Sequence, residues 1–165
     1  MRSFLVRPVA AKDAGWVRAL LAEHWGSPLV VTKGRAHRAD ELPGFLAAEG
    51  EGGERFGLVT YRIEEGECEI VSLNSLRERM GVGAALLEAA LEEARCAGCR
   101  RAWLVTTNDN LPAVRFYQKR GWRIRAIRPG AIRESRRLKP EIPETGVDGI
   151  PIRDEIEMEI SLSGS

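Results

Sequence analysis

One stretch constrains this chain more than any other. From Gly81 to about Arg95, Val82, Ala85, Leu86, Ala89 and Ala90 recur at i, i+3, i+4, i+7 and i+8. That spacing lays a single apolar stripe along a helix. Glu88, Glu92 and Glu93 fall off the stripe, and Gly98 stands where a left-handed residue closes a helix. A predicted strand, Glu67–Leu73, precedes it, and the connection reads Arg77-Glu78-Arg79-Met80-Gly81-Val82-Gly83-Ala84. A strand, a glycine pair and a helix N-terminus in that order let backbone N–H groups approach an anion closely, and the helix dipole adds attraction. A pyrophosphate suits such a place, with Arg79 adding a charged contact. The stretch is not a P-loop, because Ala84 and Ala85 follow Gly83 where Lys and Ser or Thr are needed. It is not a dinucleotide fingerprint either, because Leu86 occupies the third small position. By itself the glycine pair also fits an ordinary structural turn.

The remaining elements follow from periodicity and turn chemistry. Ser3–Pro8 is predicted as a strand, and Lys12 to about Trp25 as a helix with Val17, Leu20, Leu21 and His24 on one face. Gly26-Ser27-Pro28 stops that helix. Leu29–Asp40 is ambiguous, with Leu29–Thr32 a candidate short strand. Gly44–Glu49, Arg55–Glu64 and Glu67–Leu73 form a meander through the turns Gly50–Gly53 and Glu65-Gly66. Ala102–Thr107 is predicted as a buried strand. Leu111–Arg120 is predicted as a helix capped by Asn110, with Pro112 tolerated in its first turn. Trp122–Arg128 is a strand, and alternation of Ile156, Met158, Ile160 and Leu162 marks a last, half-buried strand. Pro129–Arg153 is long and rich in Pro, Gly and charge, fitting either a cover over a site or a surface loop; Ala131–Leu138 allows a turn or two of helix. The sum is an α/β chain with a mixed sheet.

Composition narrows the partners. The chain has 165 residues, within the roughly 100–200 of one domain, so a single domain over 1–165 is expected. Lys and Arg (25) balance Asp and Glu (24), so no global field draws it to nucleic acid or an anionic membrane. Arg115, Lys119, Arg120, Arg123, Arg125, Arg128 and the run Arg133–Lys139 are read as a patch that suits a phosphate or as a solvated face, rather than as a nucleic-acid footprint. No run of about 18 apolar residues is present, and charge interrupts the N-terminus too early for a signal peptide. A cytoplasmic location is expected. Cys68, Cys96 and Cys99 are an odd set, against a disulfide framework. Cys96-Ala97-Gly98-Cys99 lacks a second CxxC or a His pair, so no metal is expected, and the thiols are read as packing at a helix end.

A second signal decides between the readings of the glycine pair. Asn110-x-x-Ala113-x-x-Phe116-Tyr117-x-x-x-Gly121-Trp122 follows one helix and one strand later. Together the two stretches resemble motifs A and B of the GNAT superfamily of N-acetyltransferases, Arg-x-x-Gly-x-Gly/Ala and then Asn-x-x-Ala-x-x-Phe-Tyr-x-x-x-Gly-Phe. The second matches at every anchor, with Trp122 in the aromatic place, and the resemblance runs from about Phe4 to Arg128. In motif A the usual Arg falls on Glu78, with Arg79 beside it; the side-chain contact to phosphate is expected to shift to Arg79.

The resemblance implies a GNAT-like acyl-CoA N-acyltransferase fold: a mixed, mostly antiparallel sheet of about seven strands flanked by helices. It implies acetyl-CoA as co-substrate and an amine acceptor, with dimers common in the superfamily. The pantetheine arm would pair with Val71, Ser72 and Leu73, where the strand splays at a bulge, and the Leu73 N–H would polarise the thioester carbonyl. Backbone N–H groups within Arg79, Met80, Gly81, Val82, Gly83 and Ala84 would hold the pyrophosphate. Asn110 would contact the coenzyme as well as cap its helix. Tyr117 would protonate the departing thiolate, as a phenol of pKa about 10 can for a thiol of about 8.5.

The amine side is less legible. An alkyl ammonium with a pKa near about 10.4 cannot attack until something takes its proton. In ribosomal-protein acetyltransferases of the superfamily a Glu on the strand matching Ala102–Thr107 does this, but Val105 stands there. Glu69, His24, His37, Glu155 or water remain. His24 is expected as a core or pocket-edge residue, His37 on the surface of an unassigned loop, and Glu69 as an outward-facing strand residue. Trp16, Trp25 and Trp103 are expected in the core, with Trp25 in the region that lines the acceptor side in the superfamily. A GNAT-like module that senses acyl-CoA without catalysis is the rival reading.

Overall fold

β-branched and aromatic residues favour strands, and most of the nine strands among the described residues, 3–163, of the computed structural model carry them. In chain order the elements are β1 (Leu5–Pro8), α1 (Ala14–Trp25), β2 (Leu29–Thr32), β3 (Arg35–Arg38), β4 (Gly44–Ala48), β5 (Arg55–Glu64) and β6 (Glu67–Ser75). Then come α2 (Val82–Cys96), β7 (Arg101–Thr107), α3 (Leu111–Gln118), β8 (Arg123–Arg128), α4 (Ala131–Leu138) and β9 (Glu155–Ser161). One 7-stranded sheet runs β1-β4-β5-β6-β7-β9-β8. Every neighbouring pair in it is antiparallel except β6 and β7. A parallel pair needs a crossover, and α2 provides it.

The apolar stripe of α2 explains why it lies on the sheet. Val82, Leu86, Leu87, Ala90, Leu91 and Ala94 are buried against Val59, Tyr61, Cys68, Ile70, Ala102 and Leu104. Each fully buried Val or Leu contributes about 1.5–3 kcal/mol. Gly57 sets the distance: a Cβ there would sit 2.7 Å from Val82 Cγ1 and 2.9 Å from Leu86 Cδ1. On the opposite face, Val17, Leu20 and Leu21 of α1 pack with Val30, Leu58 and Val71.

The ambiguous stretch after α1 is a two-stranded hairpin, β2–β3, apart from the main sheet. Its two-residue turn is Lys33-Gly34, both at positive φ (50° and 73°), the mirror-image turn that hairpin twist favours. The hairpin corrects two expectations. His37 is buried rather than exposed, because β3 folds it inward, where its Nε2 lies 3.0 Å from Thr32 Oγ1. Glu69 is buried as well, because the hairpin covers its strand and Thr32 Oγ1 donates to it at 2.7 Å. The α1 expectation shortens at its start, where Ala11–Asp13 form a 3₁₀ turn, and α3 ends at Gln118 rather than Arg120.

Asp13 ties the entry of α1 to the sheet. Its buried carboxylate accepts from the two terminal guanidinium nitrogens of Arg7 at 2.8 and 2.9 Å, from Arg55 Nε at 2.9 Å and from the Ala10 N–H at 2.8 Å. The Arg7 hydrogen bonds hold this carboxyl well below the usual carboxylate range, against the opposing effect of burial. The folded pKa is therefore the lower one, and the unfolded chain takes up the proton first. Stability from Asp13 is fully present above its unfolded value of about 3.9 and drains as pH falls toward the folded value. Asp13→Asn should lose about 3–5 kcal/mol in urea unfolding at pH 7, because two arginines lose a buried partner. Its stability should also fall less steeply than the parent's below about pH 4.

Candidate functional site

The parallel ladder between β6 and β7 is short. It holds Glu67 with Arg101, Cys68 with Ala102 and Glu69 with Trp103, and stops there, although β6 runs on to Ser75 and β7 to Thr107. On the other side of β6, Tyr61 pairs with Ile70 and Thr60 with Ser72, so Val71 is the extra residue of a bulge. The two strands diverge around a cavity of about 290 Å³. Val71, Ser72 and Leu73 form one wall, Leu104, Val105 and Thr106 the other, and Asn110, Ala113 and Tyr117 the far end.

Hydrogen-bond alternation says where the freed amides point. Leu76 N–H donates to Phe56 O on β5. In an antiparallel ladder every second residue faces the same neighbour, so Asn74 and Ser72 also face β5. The Leu73 N–H faces the opposite way, into the gap left by β7.

The start of α2 leaves a second set of free amides. The first hydrogen bond of the helix is Ala85 N–H to Gly81 O, so the N–H groups of Val82, Gly83 and Ala84 precede it without an intrahelical partner. No side chain caps them. Arg79 and Gly81 both hold positive φ (63° and 75°), which turns the chain abruptly into the helix. Met80 packs half-buried on the core between them. Arg79 and Glu78 are exposed. Arg77 is committed elsewhere, donating to Glu49 at 2.8 Å and Glu54 at 2.9 Å over the Phe56 ring.

Asn110, which caps α3, and Tyr117 within α3 help close the cavity. Asn110 Oδ1 accepts from the Ala113 N–H at 3.3 Å, the expected cap. Tyr117 is 7% exposed, with its ring against Phe116 and Trp122. Its hydroxyl has no hydrogen-bond partner among the described residues, and Tyr117 lines the cavity. Burial raises its pKa above the ordinary phenol value, with Arg120 opposing.

A second cavity of about 370 Å³ adjoins the first, sharing His24 and Trp25 as its wall. Its other walls come from β2, α4 and the segment after α4. The long Pro129–Arg153 segment is thus a structured cover. Asn108 Oδ1 accepts from the N–H groups of Arg153 and Asp154, and Asp109 Oδ2 accepts from the Val147 N–H at 3.1 Å. Trp25 is half-buried, and its Nε1 donates to Asn74 Oδ1 at 3.0 Å, linking the end of α1 to β6.

Of the four side chains considered as bases, only His24 borders these cavities, and it is exposed. Glu69 accepts from Arg62 Nε and Thr32 Oγ1, both at 2.7 Å, and faces a separate recess of about 100 Å³ beside Trp103. Burial lowers the His37 pKa, outweighing the charge of Glu69. Glu155 is committed to Arg128 at 3.2 Å and to the Lys33 N–H at 3.1 Å. Among the described residues no group of three His, Cys, Asp or Glu side chains is placed to hold a metal ion. Cys68 and Cys99 are buried free thiols, and burial pushes Cys68 up to about 12, while Cys96 is exposed.

The profile of the Acetyltransferase (GNAT) family matches residues 14–122. The chain belongs to this family. It is 51% identical over 135 residues to the Bacillus subtilis (strain 168) protein YdhI, covering 82% of this chain and 84% of that one. Among solved structures it is similar to the IAA acetyltransferase from Bacillus cereus ATCC 14579, with a TM-score of 0.72 at 20% identity, covering 96% and 99% of the two chains. It is also similar to a GNAT family acetyltransferase from Elizabethkingia anophelis with acetyl-CoA bound, with a TM-score of 0.67 at 19% identity, covering 98% and 99%. Both likenesses establish the fold.

For this GNAT chain, membership makes it an acyltransferase and accounts for both motifs. Among the described residues no helix is long and apolar enough to cross a membrane. Sequence reasoning missed the side chains that shape the second cavity and its cover: the Trp25–Asn74 hydrogen bond, the Asn108 and Asp109 anchors, and Lys139. Asn108-Asp109-Asn110 offered the one available signal, since such residues bond to nearby backbone at turns. Asn110→Ala should cost about 1 kcal/mol in thermal or urea unfolding, the usual loss of a helix cap.

Proposed function

We propose that this protein is an acetyl-CoA-dependent N-acetyltransferase, acting as one domain over residues 1–165, which passes the acetyl group to a primary amine by direct attack in a ternary complex. One observation carries this reading: the β6–β7 gap has a free backbone amide at Leu73 on one wall and an unpaired, protonated phenol, Tyr117, at its end. The residues fit the co-substrate. Val71–Leu73 supply strand-edge hydrogen bonds for the pantetheine arm, and the N–H groups of Val82, Gly83 and Ala84 supply an anion site for the diphosphate. Arg79, Met80 and Gly81 shape the turn, and Asn110 borders the arm. Acetyl-CoA supplies an electrophilic thioester carbonyl.

The chain's own groups then do three things. The Leu73 N–H orients and polarises the carbonyl oxygen. Tyr117 Oη holds a proton for the leaving sulfur, and burial keeps that proton in place at neutral pH. The acceptor's proton leaves through water at the shared wall, with His24 the side chain beside it. The free thiols Cys68, Cys96 and Cys99 agree with a cytoplasmic location.

Tyr117→Phe should lower kcat by about 10²–10⁴-fold, measured as thiol release over a panel of amines. Its acetyl-CoA affinity by calorimetry should stay within about twofold. Turnover unchanged across the panel would remove Tyr117 from this role. Coenzyme uptake by the parent with no turnover of any amine would favour the non-catalytic binding module.

A further inference from the structure

We propose that the amine acceptor is a small molecule with an apolar body and a carboxylate, and that Lys139 receives the carboxylate in the cavity beneath the Pro129–Arg153 cover. This rests on the acetyl-transfer reading above and names the substrate class for the same site.

Lys139 is an unusual placement for a lysine. It is 4% exposed, lies at the end of α4, and lines the cavity of about 370 Å³. An ammonium carries three donors and no acceptor. Here it makes one hydrogen bond, to Leu29 O at 2.6 Å, and no ion pair among the described residues. Glu141 lies close enough to bias its charge but does not pair with it. Burying a cation with two donors unspent is costly unless an anion completes the shell. Burial lowers its pKa, as expected for a group whose charge is under-compensated.

The rest of the cavity selects the body of the ligand. Val30, Val31, Ile132, Ile142 and Ile152 make its walls largely apolar, while the carboxylates Glu23 and Glu141 sit exposed among its lining and Lys139 is its one buried charge. Its volume suits a small molecule within the range of about 300–1,000 Å³ usual for ligand pockets. Charge fixes direction. The Lys139 ammonium repels the acceptor's own ammonium, so a carboxylate at Lys139 turns the amine toward the wall formed by His24 and Trp25. Beyond that wall lies the cavity with Leu73 and Tyr117. A purely structural Lys139, strapping α4 to β2, would predict no such preference.

The experiment compares carboxylate amines with their carboxamides: leucine, phenylalanine and 6-aminohexanoate against the corresponding amides. With saturating acetyl-CoA, at least one carboxylate should exceed its amide by about tenfold or more in kcat/KM, since a site built for a polar group rejects its absence strongly. Lys139→Met should bring each pair within about threefold of one another, with acetyl-CoA affinity unchanged; Lys139→Arg should retain the preference. A readout without turnover runs alongside. With coenzyme A present, N-acetyl-leucine should bind the parent at least about tenfold more tightly than N-acetyl-leucinamide by calorimetry, and Lys139→Met should abolish the difference. Equal kcat/KM for acids and amides, equal binding of the two products, or a preference surviving in Lys139→Met would each overturn the proposal. Those comparisons on the parent stand even if Lys139→Met fails to fold. Absence of acetyl-CoA binding would instead sink the acetyl-transfer reading itself.

Discussion

Backbone groups inside a sheet must be paired, and the arrangement of this molecule follows from the place where they are not. β6 and β7 hold a parallel ladder through Glu69 and Trp103 and then part. Nothing in the short ladder itself forces the parting. The bulge at Val71 bends β6, and α3, whose Tyr117 and Ala113 line the gap, fills the space behind the diverging strands. The result is a run of strand-edge amides held open by a rigid sheet. Such an edge invites another extended chain, and an amide-bearing arm such as pantetheine has that character.

The face of the sheet carrying α1 and the hairpin explains why Glu69, Glu155 and Glu157 are unavailable for proton transfer. Glu69 on β6 and Glu155 and Glu157 on β9 are buried there. Lys33 and Arg128 neutralise Glu157, and their hydrogen bonds outweigh the effect of burial in lowering its pKa. Arg62 and Thr32 claim Glu69, and Arg128 claims Glu155. These carboxylates anchor the β2–β3 hairpin to the sheet, and the hairpin in turn floors the cavity that holds Lys139. Stability and the shape of that cavity are thus coupled through one polar layer.

Much of the structure around the start of α2 and α3 was legible from residue order, because the signals there are local. The α2 stripe, the Gly81 and Gly83 spacing, the Asn110 cap and the Phe116-Tyr117 pair each depend on neighbours within a few positions. The second cavity was not. The β2–β3 turn is Lys33-Gly34 rather than the Asn-Gly that marks such hairpins, and Arg35-Ala36-His37-Arg38 shows no apolar alternation. His37 and Glu69 meet through Thr32, residues far apart in sequence that only the folded sheet brings together. Lys139 reads as one more charge in a basic run, and its burial depends on β2 and on residues up to Ile152. Pro129–Arg153 fitted either a cover or a loop until the Asn108 and Asp109 contacts showed what it rests on.

The central claim is that two sets of free amides, one at the splayed edge of β6 and one at the start of α2, hold a single acyl-CoA molecule. Amide chemical shifts followed by NMR during addition of acetyl-CoA test this directly. The largest saturable changes should fall on Leu73 and on Val82, Gly83 and Ala84 together, with one common affinity. Saturation that leaves those amides unmoved, or changes concentrated elsewhere on the protein, would contradict it.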